Sequence, residues 1–337
     1  MFSSQSKRGS ALVKGRTMEL FGSQWVRQCE HLAQVSRRLP GGGLLGRRPA
    51  RLPAGGTELT GYRDYAAGDD YRQVDWKQCA RHDELLTKQF EGETDLRVYI
   101  LLDVSRSMAL GHPPKFDVAR RIAAALAYVA LTRLQTVGIT TFADGVVADC
   151  PPIGQRAEYL KILDFLKGSS PIGKASILKR AAEPLVARYQ RRGLAVVISD
   201  LYDPAGFQHG IDVLHFDGYR AAIVQVYDPA ESCPPALGDL ECFDVESGAT
   251  LQVTVTERMR TRYCALFDDF QHAVRDHCAS RDVPCAQIPA DWPEDEQLLA
   301  AIGAKETGGR KKGRGPTRAK RPSGRSVRSD PSPSFFV

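Results

Sequence analysis

Three stretches of this chain are apolar at consecutive positions: LRVYILLDVS (96–105), LAVVISD (194–200) and YRAAIVQVYD (219–228). A strand with one wet face alternates apolar and polar residues. A continuous run has to be covered on both faces, as in a parallel sheet held between helices. Helical stretches separate and follow these runs: KFDVARRIAAALAYVALTRL (115–134), RAEYLKILDFLKG (156–168), SILKRAAEPLVARYQRR (176–192), TERMRTRYCALFDDFQHAVRDHCASR (256–281) and EDEQLLAAIG (294–303). VGITTF (137–142) reads as a further strand, turning through Asp144-Gly145 into another in ADGVVADC. LQVTV (251–255) reads as an edge strand and VPCAQI (283–288) as a short one. The alternation predicts an α/β fold with a doubly wound, mostly parallel sheet.

Composition sets the limits of that domain. With 42% hydrophobic residues among 337, the chain supports one core of about 200 to 250 residues with smaller attachments. Residues 1–56 and 305–337 each carry a surplus of eight positive charges, while the whole chain is only +6, so the body is acidic between two basic arms. The expected organisation is an amphipathic helix and a Gly/Pro/Arg linker over 1–56, with Met18 as an alternative start. A charged segment over 57–95, the α/β domain over 96–304, and a basic tail over 305–337 too polar to bury and so disordered complete it. The longest apolar run, Ile122 to Leu131, is too short to span a bilayer, and no secretory signal is visible. Eight cysteines without a C-x-x-C pair read as reduced thiols of a cytoplasmic protein.

The chemistry concentrates where LLDVSRSM leaves its strand. In an open α/β sheet, ligands bind beyond the carboxyl ends of the strands. Period-two spacing lets Asp103, Ser105 and Ser107 converge on one point, and LAVVISD delivers a second carboxylate, Asp200, at its own carboxyl end. Two carboxylates facing each other repel unless a cation lies between them, and hard oxygen donors suit Mg²⁺, or Mn²⁺ or Ca²⁺ in its place. The competing reading makes Asp103 a cap or turn residue and Asp200 an ordinary loop residue.

DVSRSM resembles the D-x-S-x-S signature of von Willebrand factor A-type domains. Their metal-ion-dependent adhesion site, on a Rossmann-type sheet, also uses a Thr from a later loop and an Asp at a strand end. SILKRAA looks like the Thr segment, with Ser176 in the Thr position and Ala175 there if the register slips by one; ISDL looks like the late Asp segment, with Asp200. The stretch YRDYAAGDDYRQVDWKQCARHDELLTKQFEGE (62–93), together with VYDPAE (226–231), is similar to the bacterial family labelled domain of unknown function 58, a likeness running from Thr57 to Gly303. That likeness implies a von Willebrand factor A-like domain and a link with a MoxR-type AAA+ ATPase, hence an adaptor or assembly role. The adhesion-site likeness implies three direct hydroxyl ligands and two carboxylates acting through water. The ion then stays electrophilic and can accept an acidic residue from a partner protein.

The segment around Tyr62, Tyr65, Tyr71 and Trp76 balances basic and acidic residues. It reads either as an ion-pair network packed on the body or as a partner surface formed by Arg63, Asp69, Asp70, Arg72, Asp75, Trp76, Lys77 and Arg81. That segment contains neither phosphate-cradling glycine motif, and the seven histidines have no metal-ligand spacing. The leading expectation is a non-enzymatic, metal-dependent protein-binding adaptor. The alternatives are a metal-assisted phosphoester hydrolase, for which the sequence offers no general base, and a nucleic-acid-associated scaffold held through the basic arms.

Overall fold

A computed structural model describes residues 21–39, 44, 58–65, 74–76, 78–79, 85–91, 97–173, 175–189, 191–233, 237–246 and 248–303. The chain divides into two compact units, residues 46–96 and the remainder. The basic tail and most of the first arm lie outside the described residues.

In the larger unit, a six-stranded sheet is laid down from its middle. Strand β3 (Arg97–Asp103) pairs in parallel with β4 (Thr136–Phe142) on one side and with β6 (Leu194–Ser199) on the other. The chain first runs outward to β4 and the antiparallel edge strand β5 (Val146–Ile153). It then crosses back to β6 and continues through β7 (Arg220–Tyr227) to β10 (Cys285–Pro289), both parallel. The spatial order β10-β7-β6-β3-β4-β5 reverses direction between β3 and β6, and that switch point opens a crevice at the carboxyl ends of those two strands.

Alternate residues of each strand enter opposite cores. Val98, Ile100 and Leu102 of β3 join Val196 and Ile198 beneath helices α1 (Ser23–Arg38), α2 (Lys115–Thr132), α3 (Tyr159–Gly168) and α7 (Glu294–Ala301). Tyr99 and Leu101 join Ala195 and Val197 beneath α4 (Leu178–Arg188), α5 (Phe207–Phe216) and α6 (Glu257–Ser280). Burial of each such Val, Leu or Ile contributes about 1.5–3 kcal/mol, and β3 is covered on both faces. Helix α2 is buried almost all round, since α1, α3 and α7 pack over the side turned away from the sheet. Its run of alanines permits that close approach. No helix among the described residues is long and apolar enough to cross a membrane.

LQVTV forms the expected edge strand, although not on the main sheet: as β9 (Thr250–Val255) it pairs antiparallel with β8 (Gly238–Phe243) in a separate hairpin between β7 and α6. Only Val255 of β9 is buried, so that strand has no apolar face to lay against the sheet. One expectation is corrected: the thiols are not all reduced, because Cys233 and Cys264 form a disulfide. Their separation of 31 residues carries no spacing signal, and the fold closes it by bringing the chain after β7 to α6. The remaining six cysteines are free.

The smaller unit holds an antiparallel pair, β1 (Glu58–Asp64) and β2 (Leu86–Glu91), with Val74 bridged to Thr87. No strand was expected there, because charges and aromatics conceal the period-two pattern.

Candidate metal centre

Strand β3 ends at Asp103, whose side chain is wholly buried at the switch point. Its Oδ1 accepts the Ser105 amide at 2.8 Å, while its Oδ2 accepts two hydroxyls, from Ser176 and Ser199, both at 2.6 Å. Ser105 and Ser107 face each other, with their Oγ atoms 3.0 Å apart. The loop carrying them is clamped to the segment before α4: Ile172 and Gly173 donate to the Val104 carbonyl, and Arg106 donates back to Gly173. Gly173 is required there, since a Cβ would come within 2.0 Å of the Ala143 methyl. This clamp carries the α4-proximal loop to Asp103, and Ser176, not Ala175, provides the hydroxyl that bonds it.

Asp200 lies one residue past β6 and is equally buried. Its Oδ1 accepts the Tyr202 amide at 3.1 Å and its Oδ2 the Lys115 ammonium at 2.9 Å. Leu201, between them, has φ of 65°, a left-handed conformation unfavourable for a branched side chain. Such strain persists where surrounding contacts fix it, here the Leu201 amide on Ser199 Oγ at 2.9 Å. Lys115, the first residue of α2, also pairs with Glu231, which receives the Tyr202 hydroxyl and closes a capping box with Asp228.

The electrostatics of this crevice are unbalanced. Burial, and then the charge of Asp200, push the Asp103 carboxyl up to about 6 against the lowering pull of its three donors. Glu246, in the turn between β8 and β9, is pushed up to about 7 by burial and by Asp200, Asp103 and Asp244, with Ser107 opposing. Burial also raises Glu231, although Lys115 resists. Burial disfavours the Lys115 ammonium, but Asp200 and Glu231 outweigh it and the pKa rises. Four carboxylates thus share the crevice with one ammonium, Lys115, which pairs with Asp200 and Glu231, and Glu246 Oε1 is buried with no hydrogen-bond partner. An orphaned carboxylate oxygen beside paired hydroxyls and a surplus of negative charge is what a hard divalent cation fits. Among the described residues, no three His, Cys, Asp or Glu side chains group closely enough to hold a metal alone. Any such ion therefore needs the serine hydroxyls.

All five residues singled out from the sequence, Asp103, Ser105, Ser107, Ser176 and Asp200, line this crevice. Sequence reasoning missed Ser199, Lys115, Tyr202, Glu231 and Glu246. VYDPAE did mark the segment bearing Glu231, and Ser199 directly precedes Asp200. The other candidates belong to the smaller unit. Arg63 lies in β1; the Asp75 amide donates to Leu86 and its carboxylate receives Gln78; the Trp76 side chain is 66% exposed. Asp69, Asp70, Arg72, Lys77 and Arg81 lie outside the described residues.

Comparison with known proteins gives relatives without assigned activities. The Uncharacterized protein Rv1480 of Mycobacterium tuberculosis is 26% identical over 232 residues, 68% of this chain and 71% of its own length. Among solved structures, the conserved hypothetical protein BatB from Bacteroides thetaiotaomicron is 18% identical, with a TM-score of 0.41 over 62% of this chain and 97% of that one. An aerotolerance-related membrane protein from Bacteroides fragilis is also 18% identical, with a TM-score of 0.39 over 62% of this chain and 98% of that one. Residues 61–273 match the family described as Protein of unknown function DUF58, and the chain belongs to that family.

Proposed function

We propose that this protein is a non-enzymatic adaptor that holds a divalent cation at the switch point and uses it to bind an acidic residue of a protein partner. One observation carries the reading: the buried carboxylates Asp103 and Asp200, at the ends of two adjacent strands, lie within each other's field, and Asp103 accepts the Ser176 hydroxyl from one loop and the amide of Ser105, whose hydroxyl faces that of Ser107, from another. Asp103, Ser105, Ser107, Ser176 and Asp200 would hold the ion. Mg²⁺ suits this oxygen set, with Mn²⁺ or Ca²⁺ as substitutes. The ion would supply a Lewis-acidic position for a carboxylate. The chain's own part is to fix the oxygens: Ser176 and Ser199 orient Asp103, while Lys115 and the Tyr202 amide orient Asp200.

A MoxR-type AAA+ ATPase is the partner we propose, on the strength of the family resemblance. Capture of proteins from the source cell on immobilised full-length chain, in Mg²⁺ and in EDTA, tests both parts. A MoxR-type ATPase retained only in Mg²⁺, and lost with Asp103→Ala, is expected. Retention unchanged by EDTA contradicts the role of the cation.

A further inference from the structure

The hairpin β8–β9 brings a carboxylate to the crevice that none of the five residues above accounts for. Glu246 sits in a turn of definite shape: the Asp244 amide donates to Ala249, Gly248 donates to Asp244, and Asp244 Oδ1 caps the Glu246 amide at 2.9 Å. Gly248, with φ of 75°, provides the left-handed residue that reverses the chain. The Glu246 carboxylate then lies against Ser107, within the field of Asp103 and Asp200, and its Oε1 is buried without a partner. Bringing a third acid to two buried ones is unfavourable unless something there attracts it.

We propose that Glu246 is an internal ligand of the cation site, occupying the position that a partner's carboxylate would take, so that the β8–β9 hairpin is a built-in competitor for docking. This inference rests on the cation-binding reading above and adds regulation to it. The hairpin is suited to leaving. Phe243 and Leu251 are 62% and 64% exposed, β9 buries only Val255, and a two-stranded hairpin has little stability of its own. Its two stems are held at fixed ends, because Cys233 precedes β8, Cys264 lies in α6 after β9, and the disulfide joins them. The hairpin can swing about that staple without unravelling α6. Displacement of Glu246 by an incoming acid exchanges one carboxylate for another, so the cation loses no charge compensation when a partner docks.

The probe is Mn²⁺ alone, titrated into full-length wild type, Glu246→Gln and Asp103→Ala while water-proton relaxation is followed; circular dichroism confirms that each variant is folded. The expected result is saturable binding by wild type and binding about 10-fold weaker by Glu246→Gln, with a higher relaxation enhancement per bound ion because water enters the vacated position. Equal affinity and equal enhancement in wild type and Glu246→Gln would overturn the internal ligand while leaving the cation site intact. No saturable binding by wild type, matching Asp103→Ala, would overturn both readings.

Discussion

The two aspartates at the switch point are equally buried, yet the fold compensates them by opposite means. Asp200 meets an ammonium, Lys115, which it shares with Glu231. Asp103 meets only neutral donors, two hydroxyls and an amide. A shared countercharge supports Asp200 inside the protein, whereas hydrogen bonds alone leave the charge of Asp103 uncompensated and its carboxyl pushed up to about 6. Of the two, Asp200 is tied into the framework through Lys115, and Asp103 carries the less compensated charge.

Removing the framework countercharge should have the largest effect. Lys115→Met strands the buried Asp200 and the half-buried Glu231 and should cost about 3–5 kcal/mol in denaturant unfolding, the range for a broken buried pair. A loss under about 1 kcal/mol would mean that Asp200 is compensated by something else.

Asp103 predicts a pH effect of the opposite sense to an ordinary paired aspartate. Its folded pKa lies above the unfolded value, so the folded state binds more protons, and the stability of EDTA-treated protein should fall as pH rises from about 4 to 6. For a shift of roughly two units the change is about 3 kcal/mol. Asp103→Asn should flatten that slope, and saturating Mg²⁺ should reverse it in the wild type. Denaturant midpoints across the pH range measure this, and a wild-type slope unchanged by Asp103→Asn contradicts it.

The hydroxyls allow a finer test. Ser176→Ala and Ser199→Ala each remove a 2.6 Å bond to Asp103 Oδ2 and should each cost about 1.5–3 kcal/mol. Ser176→Ala should weaken Mg²⁺ affinity more than Ser199→Ala does, since it removes a ligand, whereas Ser199 accepts the Leu201 amide and acts on the ion through Asp103. Equal losses of affinity would make Ser199 a ligand as well.

The contrast between these aspartates was only half legible in the sequence. Continuous apolar runs identified the buried strands, and strand-end placement together with D-x-S-x-S identified both carboxylates and the loop hydroxyls, because those signals are local. The compensation was not legible. Lys115 stands 85 residues from Asp200 and opens a helix like any surface lysine. Glu246 sits in a hairpin of which only the second strand, LQVTV, is expected from the sequence; which strand an edge strand pairs with is a property of the assembled fold. The Cys233–Cys264 bond had no spacing to betray it for the same reason.

The central claim meets its most direct test in calorimetric titration of metal-free protein with Mg²⁺ at neutral pH. The account predicts a saturable heat at one ion per chain in wild type and none in Asp103→Ala. Indistinguishable heats from the two proteins would contradict it.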